Sequence, residues 1–452
     1  MLFIPTPRYE KEKKRCGGAL YKYPNKRGGE KKKMKTKTLV LVGIAVCVMF
    51  LTSPVLASAG YSKIYGNANE DDVLDMRDVT YIKLVIFGKK PATDFADANN
   101  DGKVSMLDIG QTKLIILGKE KQLTLVDQAD RTVTVPRPIE RIVLVGMLNS
   151  LRTLVQLDAA DKIVATSTVA GSIYDDPGRS KYFSPLHRAA PELGELPRID
   201  YRDPSLEVIL TLKPDVILSY GAYSDPDAIQ EGTGISTICS GKSAGGDLSF
   251  EQHRLLGKVV EREKEAEELI SYVNEKLDEL TEVTSGIPDS EKPKVYVAHL
   301  GGGAPKDITT VMVRYDPVEI AGGMNVAKEC VGESSVEVSK EQIIAWNPDI
   351  IVMGSYPTKP HKYPKENVIS DPILQTVNAV KNETVYYTKG CMIGWDPATV
   401  TTEAFYFAKL FHPEEFDDFD VEDECNEILE RFYGVDGLYT EMVEKCDFFR
   451  WE

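Results

Sequence analysis

The chain has 452 residues and a formal net charge of −16. This length is too great for one hydrophobic core and indicates two or three domains. Residues 1–59 carry 13 Lys and Arg against 3 Asp and Glu, which leaves 41 against 67 and a charge of −26 for the remainder. Such an acidic remainder disfavours nucleic acid as a partner.

The basic N-terminal segment has the pattern of an export signal. Five lysines within residues 31–37 precede an apolar run over residues 39–51, and the small residues 57–59 follow it. The run is shorter than the ~20 residues of a membrane-spanning helix. We therefore expect residues 1–59 to direct export to the cell surface or another extracytoplasmic site, with Met34 as a candidate start. An uncleaved signal acting as a membrane anchor stays an open alternative.

Residues 67–89 and 97–119 repeat one another. Each repeat has oxygen-bearing side chains at positions 1, 3, 5 and 12 of a loop, followed by an apolar segment that ends in Gly-Lys. A 12-residue loop around Ca²⁺ supplies oxygens from positions 1, 3, 5, 7, 9 and 12, so the repeats predict two Ca²⁺ sites. The expected ligands are Asn67, Asn69, Asp71, the Val73 carbonyl, Asp75 and Asp78 in the first loop, and Asp97, Asn99, Asp101, the Lys103 carbonyl, Ser105 and Asp108 in the second.

The two loops are not equivalent. Gly102 provides the sharp turn at position 6 of the second loop, whereas Asp72 stands there in the first. We therefore expect weaker calcium binding in the first loop.

The duplicated loop-helix unit resembles a dockerin type I module over residues 60–121. It differs from a full EF-hand because only the helix after each loop is visible and position 12 is Asp. The resemblance implies a small all-α calcium-binding module and a cohesin-bearing surface protein as its partner. The implied contact pairs are Met76-Arg77 and Met106-Leu107.

From Gln122 onward, apolar strands alternate with helices. Short β-α-β connections of this kind predict a parallel sheet covered by helices, first over residues 122–248 and again over residues 286–452. Between them, residues 250–283 have apolar side chains at helical spacing, which gives a length of ~50 Å if the helix is continuous. We predict a linking helix over residues 249–285, and an interruption of its first turns at Gly257 or residues 261–264 stays open.

Two segments on either side of that helix are alike: DPSLEVILTLKPDVIL (203–218) and VSKEQIIAWNPDIIV (338–352). Together with RTVTVPRPIERIV (131–143), EIAGGMNVA (319–327) and LFHPEEFDDFDVEDECNEILERFYG (410–434), they resemble the periplasmic binding proteins of ABC importers for iron-siderophores, haem and cobalamin. The resemblance implies an α/β fold with two Rossmann-like lobes joined by one long α-helix. It also implies a monomer that carries an iron or cobalt chelate to permease subunits. Because the calcium module and the lobes are predicted as separate domains, calcium removal should leave chelate affinity nearly unchanged.

In such a fold the ligand lies where loops leave the carboxyl ends of the strands. Aromatic faces and guanidinium groups there suit a flat or anionic chelate. The candidate ligand-binding residues are Asn149, Tyr174, Tyr182, Tyr220, Tyr223, His299, Arg314, Tyr356 and Trp395.

Two glutamates are candidates for permease docking. In the family that the chain resembles, one glutamate on each lobe meets arginines of the permease, and Glu207 and Glu341 occupy the corresponding helices. The helix dipole also favours acidic residues in a first turn, so a purely structural role gives the same pattern.

The sequence has no catalytic motif, and we do not expect an enzyme. The alternative is a dockerin-borne cell-surface enzyme, such as a hydrolase or a metal chelatase in which His187 or His299 holds a metal. A third interpretation is an adhesion or scaffold protein that has lost its ligand. The five cysteines after residue 59 have no CxxC spacing, although one bridge between Cys425 and Cys446 stays open.

Overall fold

A computed structural model describes residues 63–446 and Phe449, apart from residues 72, 176–181, 183, 242–247, 299–307, 333–334, 355–362 and 390–395. The predicted export signal lies outside the described residues. Within the described part, no helix has both the length and the apolar character needed to cross a membrane.

Strands and helices alternate through most of the described chain. The strands are β1 (Gln122–Val126), β2 (Thr132–Pro136), β3 (Ile142–Val145), β4 (Ile163–Ser167), β5 (Arg198–Ile199), β6 (Val216–Ser219), β7 (Thr237–Cys239), β8 (Lys294–Ala298), β9 (Thr310–Met312), β10 (Met324–Asn325), β11 (Ser335–Glu337), β12 (Ile350–Gly354) and β13 (Val385–Thr388). The α-helices are α1 (Met76–Ile86), α2 (Met106–Ile116), α3 (Leu148–Gln156), α4 (Gly171–Tyr174), α5 (Leu186–Ala189), α6 (Leu206–Leu212), α7 (Pro226–Thr233), α8 (Glu251–Val260), α9 (Glu263–Thr284), α10 (Asp316–Ile320), α11 (Lys340–Trp346), α12 (Lys365–Ile369), α13 (Asn378–Lys381), α14 (Pro397–Phe411), α15 (Val421–Tyr433) and α16 (Leu438–Lys445). Short 3₁₀ turns lie at Asp94–Ala96, Ala160–Lys162, Thr168–Ala170 and Pro191–Glu195.

Residues 63–118 form two loop-helix units, which we call the paired-loop module. Both helices start with a capping box, formed by Asp75 and Asp78 in α1 and by Ser105 and Asp108 in α2. Each box satisfies backbone N–H groups that a helix start otherwise leaves without partners. A small core closes the module between the helices and consists of Ala68, Val79, Ile82, Ala96 and Ile109.

The first lobe contains a parallel five-stranded sheet in the order β5-β4-β3-β6-β7. Successive residues of β3 face opposite sides: Ile142 and Leu144 join one hydrophobic cluster, while Val143 and Val145 join another. Burial on both faces explains the continuous apolar run in this strand. The hairpin of β1 and β2 pairs antiparallel and precedes the sheet.

The second lobe contains a mixed sheet in the order β11-β9-β8-β12-β13, with β10 paired to β8. Strands β8, β12 and β13 are parallel to one another, whereas β9 and β11 are antiparallel to their neighbours. The parallel strands put their carboxyl ends at one edge, as in the first lobe.

The segment predicted as a linking helix over residues 249–285 consists of two helices, and the break falls within residues 261–264, where the sequence left an interruption open. Helix α8 ends where Glu261 takes a left-handed conformation, with φ of 61°, and Arg262 donates to the Gly257 carbonyl at 2.8 Å. A Cβ at Gly257 would lie 3.0 Å from the Cβ of Ala266, so glycine allows α8 and α9 to cross closely. Helix α9 has 22 residues and is about 33 Å long instead of ~50 Å.

The two helix-strand units that the sequence repeats have the same local structure. Serine caps α6 and α11, and each helix ends at a left-handed residue before a Pro-Asp pair. In the first lobe, Asp215 accepts the N–H groups of Glu140 and Arg141 at 2.8 and 2.9 Å. In the second, Asp349 accepts the N–H of Lys294 at 3.0 Å. Each aspartate therefore fixes the entry of the neighbouring strand, β3 or β8.

The described cysteines are free thiols. Cys425 and Cys446 are buried and form no bridge, so the pairing left open by the sequence does not occur. Cys391 lies outside the described residues.

Candidate functional site

The loops after β3 and β6 meet at the carboxyl edge of the first sheet. The chain leaves β3 towards β4 on one side and returns to β6 on the other, which makes this point the topological switch of the sheet. Ligands of open α/β sheets bind at such a switch point. The Tyr220 N–H donates to the Val145 carbonyl at 3.1 Å, and a Cβ at Gly146 would lie 2.7 Å from the Cβ of Tyr220. Gly146 therefore permits close contact of the two loops.

Three tyrosines and one arginine form a cluster beside this point, which we call the tyrosine–arginine cluster. The rings of Tyr220 and Tyr223 stack with centroids 5.7 Å apart, and Tyr201 meets Tyr223 edge-on at 5.4 Å. The exposed Arg202 guanidinium lies 5.0 Å from the Tyr201 ring and 5.7 Å from that of Tyr223. The sequence singled out Tyr220 and Tyr223 but missed Tyr201 and Arg202, which follow the edge strand β5.

Helix α3 begins at the same edge without a side-chain cap. Its N-cap, Met147, forms no capping hydrogen bond. The predicted ligand residue Asn149 is 7% exposed, and its Oδ1 has no hydrogen-bond partner among the described residues. The helix start therefore adds N–H groups that Met147 does not cap, and partial positive charge, next to the tyrosine–arginine cluster. An anionic group would find complementary chemistry there.

Two further candidates of the first lobe pack inside their own loop. The Tyr174 hydroxyl donates to the carbonyls of Leu186 and Ala190 at 3.3 and 3.0 Å, and burial raises its pKa well above the ordinary value. The ring of Tyr182 contacts His187 edge-on at 5.4 Å. These contacts join residues of the loop to one another. They do not involve the residues at the switch point, Gly146 and Tyr220.

In the second lobe, three of the predicted ligand-binding residues belong to the segments that follow β8, β12 and β13. The predicted residues His299, Tyr356 and Trp395 fall there and lie outside the described residues. Arg314 is described and makes a bidentate ion pair with Asp316, at 2.9 and 3.1 Å. Two cavities of about 460 and 420 Å³ lie beside Trp346 and Tyr439, away from the loops after β3 and β6.

A buried polar cluster joins the two lobes just after the segment that contains Trp395. We call it the interlobe cluster, and its members are Arg152, Gln156, His253, Lys389, Asp396 and Tyr433. Gln156 and Tyr433 donate to Asp396 at 3.1 and 2.9 Å, and the charged groups of Arg152 and Lys389 both lie 3.9 Å from it. Burial acts to raise the pKa of Asp396, but the charges of Lys389 and Arg152 and these hydrogen bonds hold it below its ordinary value.

His253 extends this cluster towards α8. Its Nε2 lies 2.7 Å from the Gln156 Oε1, and burial lowers the pKa of the ring to about 4. The histidine is therefore neutral near pH 7 and donates to Gln156, which in turn donates to Asp396.

The candidate docking residues occupy equivalent places. Glu207 and Glu341 are exposed in the first turns of α6 and α11. Hydrogen bonds from its own N–H and from Ser339 lower the pKa of Glu341. Two exposed negative charges thus stand on matching helices of the two lobes.

The two loops of the paired-loop module close in the same way. Asp78 accepts the N–H groups of Asn69 and Asp75, at 3.1 and 2.8 Å. At the same positions, Asp108 accepts those of Asn99 and Ser105, at 3.2 and 2.7 Å. The backbone of Gly102 has a φ of +87°, which agrees with its predicted role in the turn. Asp72 lies outside the described residues.

The charge balance of these loops suits a cation. Burial raises the pKa of the Asp78 and Asp108 carboxyls, and neighbouring aspartates in each loop raise it further. The Asp97 carboxylate accepts hydrogen bonds from the N–H groups of Asp101 and Gly102. Among the described residues, no three acidic, histidine or cysteine side chains lie close enough together to form a metal site as they stand. The oxygen donors at positions 1, 3, 5 and 12 and the buried carboxylates of Asp78 and Asp108 fit Ca²⁺.

A model of the family described as periplasmic binding protein matches residues 143–390, which is more than half of the chain. The chain belongs to the periplasmic binding protein family. It is an extracytoplasmic solute-binding protein of the ABC-transporter class, which binds small ligands and works with permease subunits, and its family is not one of enzymes. The match begins after the paired-loop module, whose role it does not address.

Individual relatives agree with this assignment. The chain is 25% identical over 340 residues to the molybdate-binding protein MolA of Haemophilus influenzae, which covers 68% of this chain and 90% of that protein. The structure of MolA bound to molybdate has a TM-score of 0.54 at 21% identity, covering 69% of this chain and 98% of that one. A periplasmic solute-binding protein from Veillonella parvula has a TM-score of 0.53 at 23% identity, covering 72% and 96%. At these identities the solved structures establish the fold.

His187, which the enzyme alternative names as a metal ligand, does not support that alternative. The two ring nitrogens of His187 lie 2.9 Å from the Ser184 carbonyl and 3.2 Å from Glu441. Both nitrogens are engaged by the protein itself, and His299 lies outside the described residues.

Proposed function

We propose that this binding protein captures an anionic iron or cobalt chelate and delivers it to its permease. The tyrosine–arginine cluster beside the uncapped start of α3 carries the proposal. Stacked tyrosine rings offer flat apolar faces, and Arg202 with the helix start offers positive charge. A ferric catecholate, a haem or a corrinoid with acidic side groups presents both features to one site.

Molybdate is the second candidate. It is favoured by the similarity to MolA, which covers 90% of that relative. A small oxyanion would use the N–H groups of α3 and Arg202 and leave the ring faces without a role. The aromatic faces therefore favour the larger, flat ligand.

Calorimetric titration of the purified protein with a ferric catecholate, haem, a corrinoid with acidic side groups and molybdate tests the proposal. One of the three chelates should bind, and Arg202→Ala should weaken its binding by about tenfold or more, because a charge-assisted contact contributes about 1.5–3 kcal/mol. Arg188→Ala is the matched control, because this exposed arginine pairs with Glu441 instead. If only molybdate binds, the proposed ligand is wrong and the protein binds an oxyanion. Chemical turnover of a bound compound would overturn the proposal as a whole.

We further propose that the paired-loop module is a dockerin that binds two Ca²⁺ ions and attaches the protein to a cohesin-bearing surface partner. The matching loop closures, the oxygen-only donor sets and the buried carboxylates of Asp78 and Asp108 support it. Met76, Met106 and Leu107 are more than half exposed, as residues that contact a partner must be. Glu207 and Glu341 are the proposed contacts with the permease.

A further inference from the structure

The paired-loop module and the first lobe share secondary structure and core. We propose that the module is an integral part of the binding fold, so that Ca²⁺ in its loops stabilises the solute-binding lobes as well as the attachment site. The inference rests on the calcium binding proposed above. It replaces the expectation that calcium and solute act on separate domains.

The first link is a short extended strand-like segment of the module, residues 63–65, which forms an isolated bridge to the β1–β2 hairpin. The Tyr65 N–H donates to the Thr124 carbonyl at 3.0 Å, and the Val126 N–H donates to that of Lys63 at 2.9 Å. Ile64 faces Leu125 in an antiparallel bridge between these two bonds. The hairpin is thus joined to the module by one antiparallel bridge with a backbone hydrogen bond on each side of it.

The second link is apolar. Ile64 from this segment and Ile115 from α2 are 4% and 3% exposed, and both belong to the large hydrophobic cluster of the lobe. That cluster also includes Leu123 and Leu125 of β1. Unfolding of the module would therefore expose apolar surface of the hairpin to water, which is unfavourable.

The strand-like segment leads directly into the first calcium loop. The Gly66 N–H donates to the Phe95 carbonyl at 2.7 Å, and the Asn67 N–H donates to the Ile64 carbonyl at 3.0 Å. Asn67 is position 1 of the loop, so its backbone is bonded to the residue that enters the shared core. A cation that fixes the conformation of the loop would therefore also fix the strand-like segment of residues 63–65.

Polar contacts connect the hairpin to the first lobe and to the helix pair α8 and α9. The Asp127 carboxylate accepts the Cys239 N–H at 2.9 Å, which joins the hairpin to β7. Arg137 is almost fully buried, lies 3.6 Å from Glu120 just beyond α2, and donates to the Val259 carbonyl at the end of α8 at 2.8 Å. The module therefore connects to the sheet of the first lobe and to the helix pair between the lobes.

Tryptophan fluorescence can test this coupling in the full chain. The three tryptophans, Trp346, Trp395 and Trp451, all lie in the second half of the sequence, so their emission follows the unfolding of the lobes. Saturating Ca²⁺ should raise the tryptophan-monitored melting temperature by about 5 °C over the value in EGTA, since a ligand stabilises every part that unfolds together with its site.

Ile64→Asp should abolish this shift while calorimetry still detects Ca²⁺ binding, because the charge disrupts the shared core. Ile64→Ala, which only removes buried methyl groups, should reduce the shift and keeps the test open if the aspartate variant does not fold. Phe87→Asp, on the exposed surface of the module, is the matched control and should retain the full shift.

The outcomes separate the two proposals. Absence of calcium binding to the wild type would reject the calcium sites themselves. Calcium binding with an unmoved tryptophan transition would reject the coupling and leave the calcium sites intact.

Discussion

At the scale of single residues, function depends on polar groups that tertiary contacts bring together. Arg202 is an ordinary surface arginine in the sequence, yet in the fold it lies over two tyrosine rings. Asp396 similarly receives hydrogen bonds from Gln156, 240 residues earlier, and from Tyr433. A buried carboxylate needs such partners because its desolvation is otherwise costly. No local pattern in the sequence predicts these partners of Arg202 and Asp396.

His253 makes stability depend on pH. Its folded pKa of about 4 lies below the ordinary value of 6.5, so the unfolded chain binds the proton more readily between these values. The free energy of unfolding should therefore fall as the pH drops from 6.5 to 4, by about 3 kcal/mol from this residue. The nearby charges are Asp396, which favours protonation, and Arg254, which opposes it.

Urea unfolding of wild type and His253→Gln at pH 7 and pH 4.5 measures this contribution. The glutamine can keep a hydrogen bond to Gln156 but does not titrate, so the variant should lose less stability on acidification. Equal losses in the two proteins would contradict the assignment.

At the scale of elements, the repeated helix-strand units are the clearest agreement between sequence and structure. Both have a serine cap, a glutamate in the first turn, a left-handed helix end and an aspartate that receives strand N–H groups. The sequence repeat predicted the first-turn glutamate, the helix end at the Pro-Asp pair and the strand that follows, because these depend on neighbours in sequence. The serine caps, the left-handed helix ends and the hydrogen bonds of the aspartates came from the structure. The linking segment is divided at Glu261, within the range where the sequence left an interruption open, although glycine is the residue expected at a left-handed helix end.

Glu207 and Glu341, the proposed contacts with the permease, lie in the first turns of the helices of these units. Reversing both charges, in Glu207→Lys combined with Glu341→Lys, should reduce cellular solute uptake by about tenfold or more and leave solute affinity unchanged. Glu366→Lys on the exposed side of α12 is the control and should transport normally. Normal uptake by the double variant would exclude these residues as docking contacts.

At the scale of the whole molecule, one hydrophobic cluster continues from the first sheet through α8 and α9 into α14, α15 and α16. Within this cluster, the ring of Phe250, just before α8, stacks on that of Phe432 in α15, with the ring centroids 6.4 Å apart. Close-packed interiors deform little, and the interlobe cluster adds directional hydrogen bonds. We therefore expect the lobes to move by a small hinge only.

Small-angle X-ray scattering with and without the bound solute tests the size of this motion. The radius of gyration should decrease by less than about 1 Å, as in binding proteins that are largely preformed. Calcium must be held constant in both samples, since the paired-loop module contributes to the same fold. A decrease of several ångströms would show that the lobes open more widely than the shared core permits.

The sequence by itself determined the α/β class, the two similar lobes, the duplicated loops and the matching places of Glu207 and Glu341. Each of these follows from local spacing, capping or strand composition, which act over a few residues. Only the tertiary structure decided that Tyr201 and Arg202 join the switch point, that Asp396 connects both lobes, and that Ile64 ties the paired-loop module to the first lobe. These contacts join residues far apart in the chain, and their energies come from burial and pairing that exist only once the chain is folded.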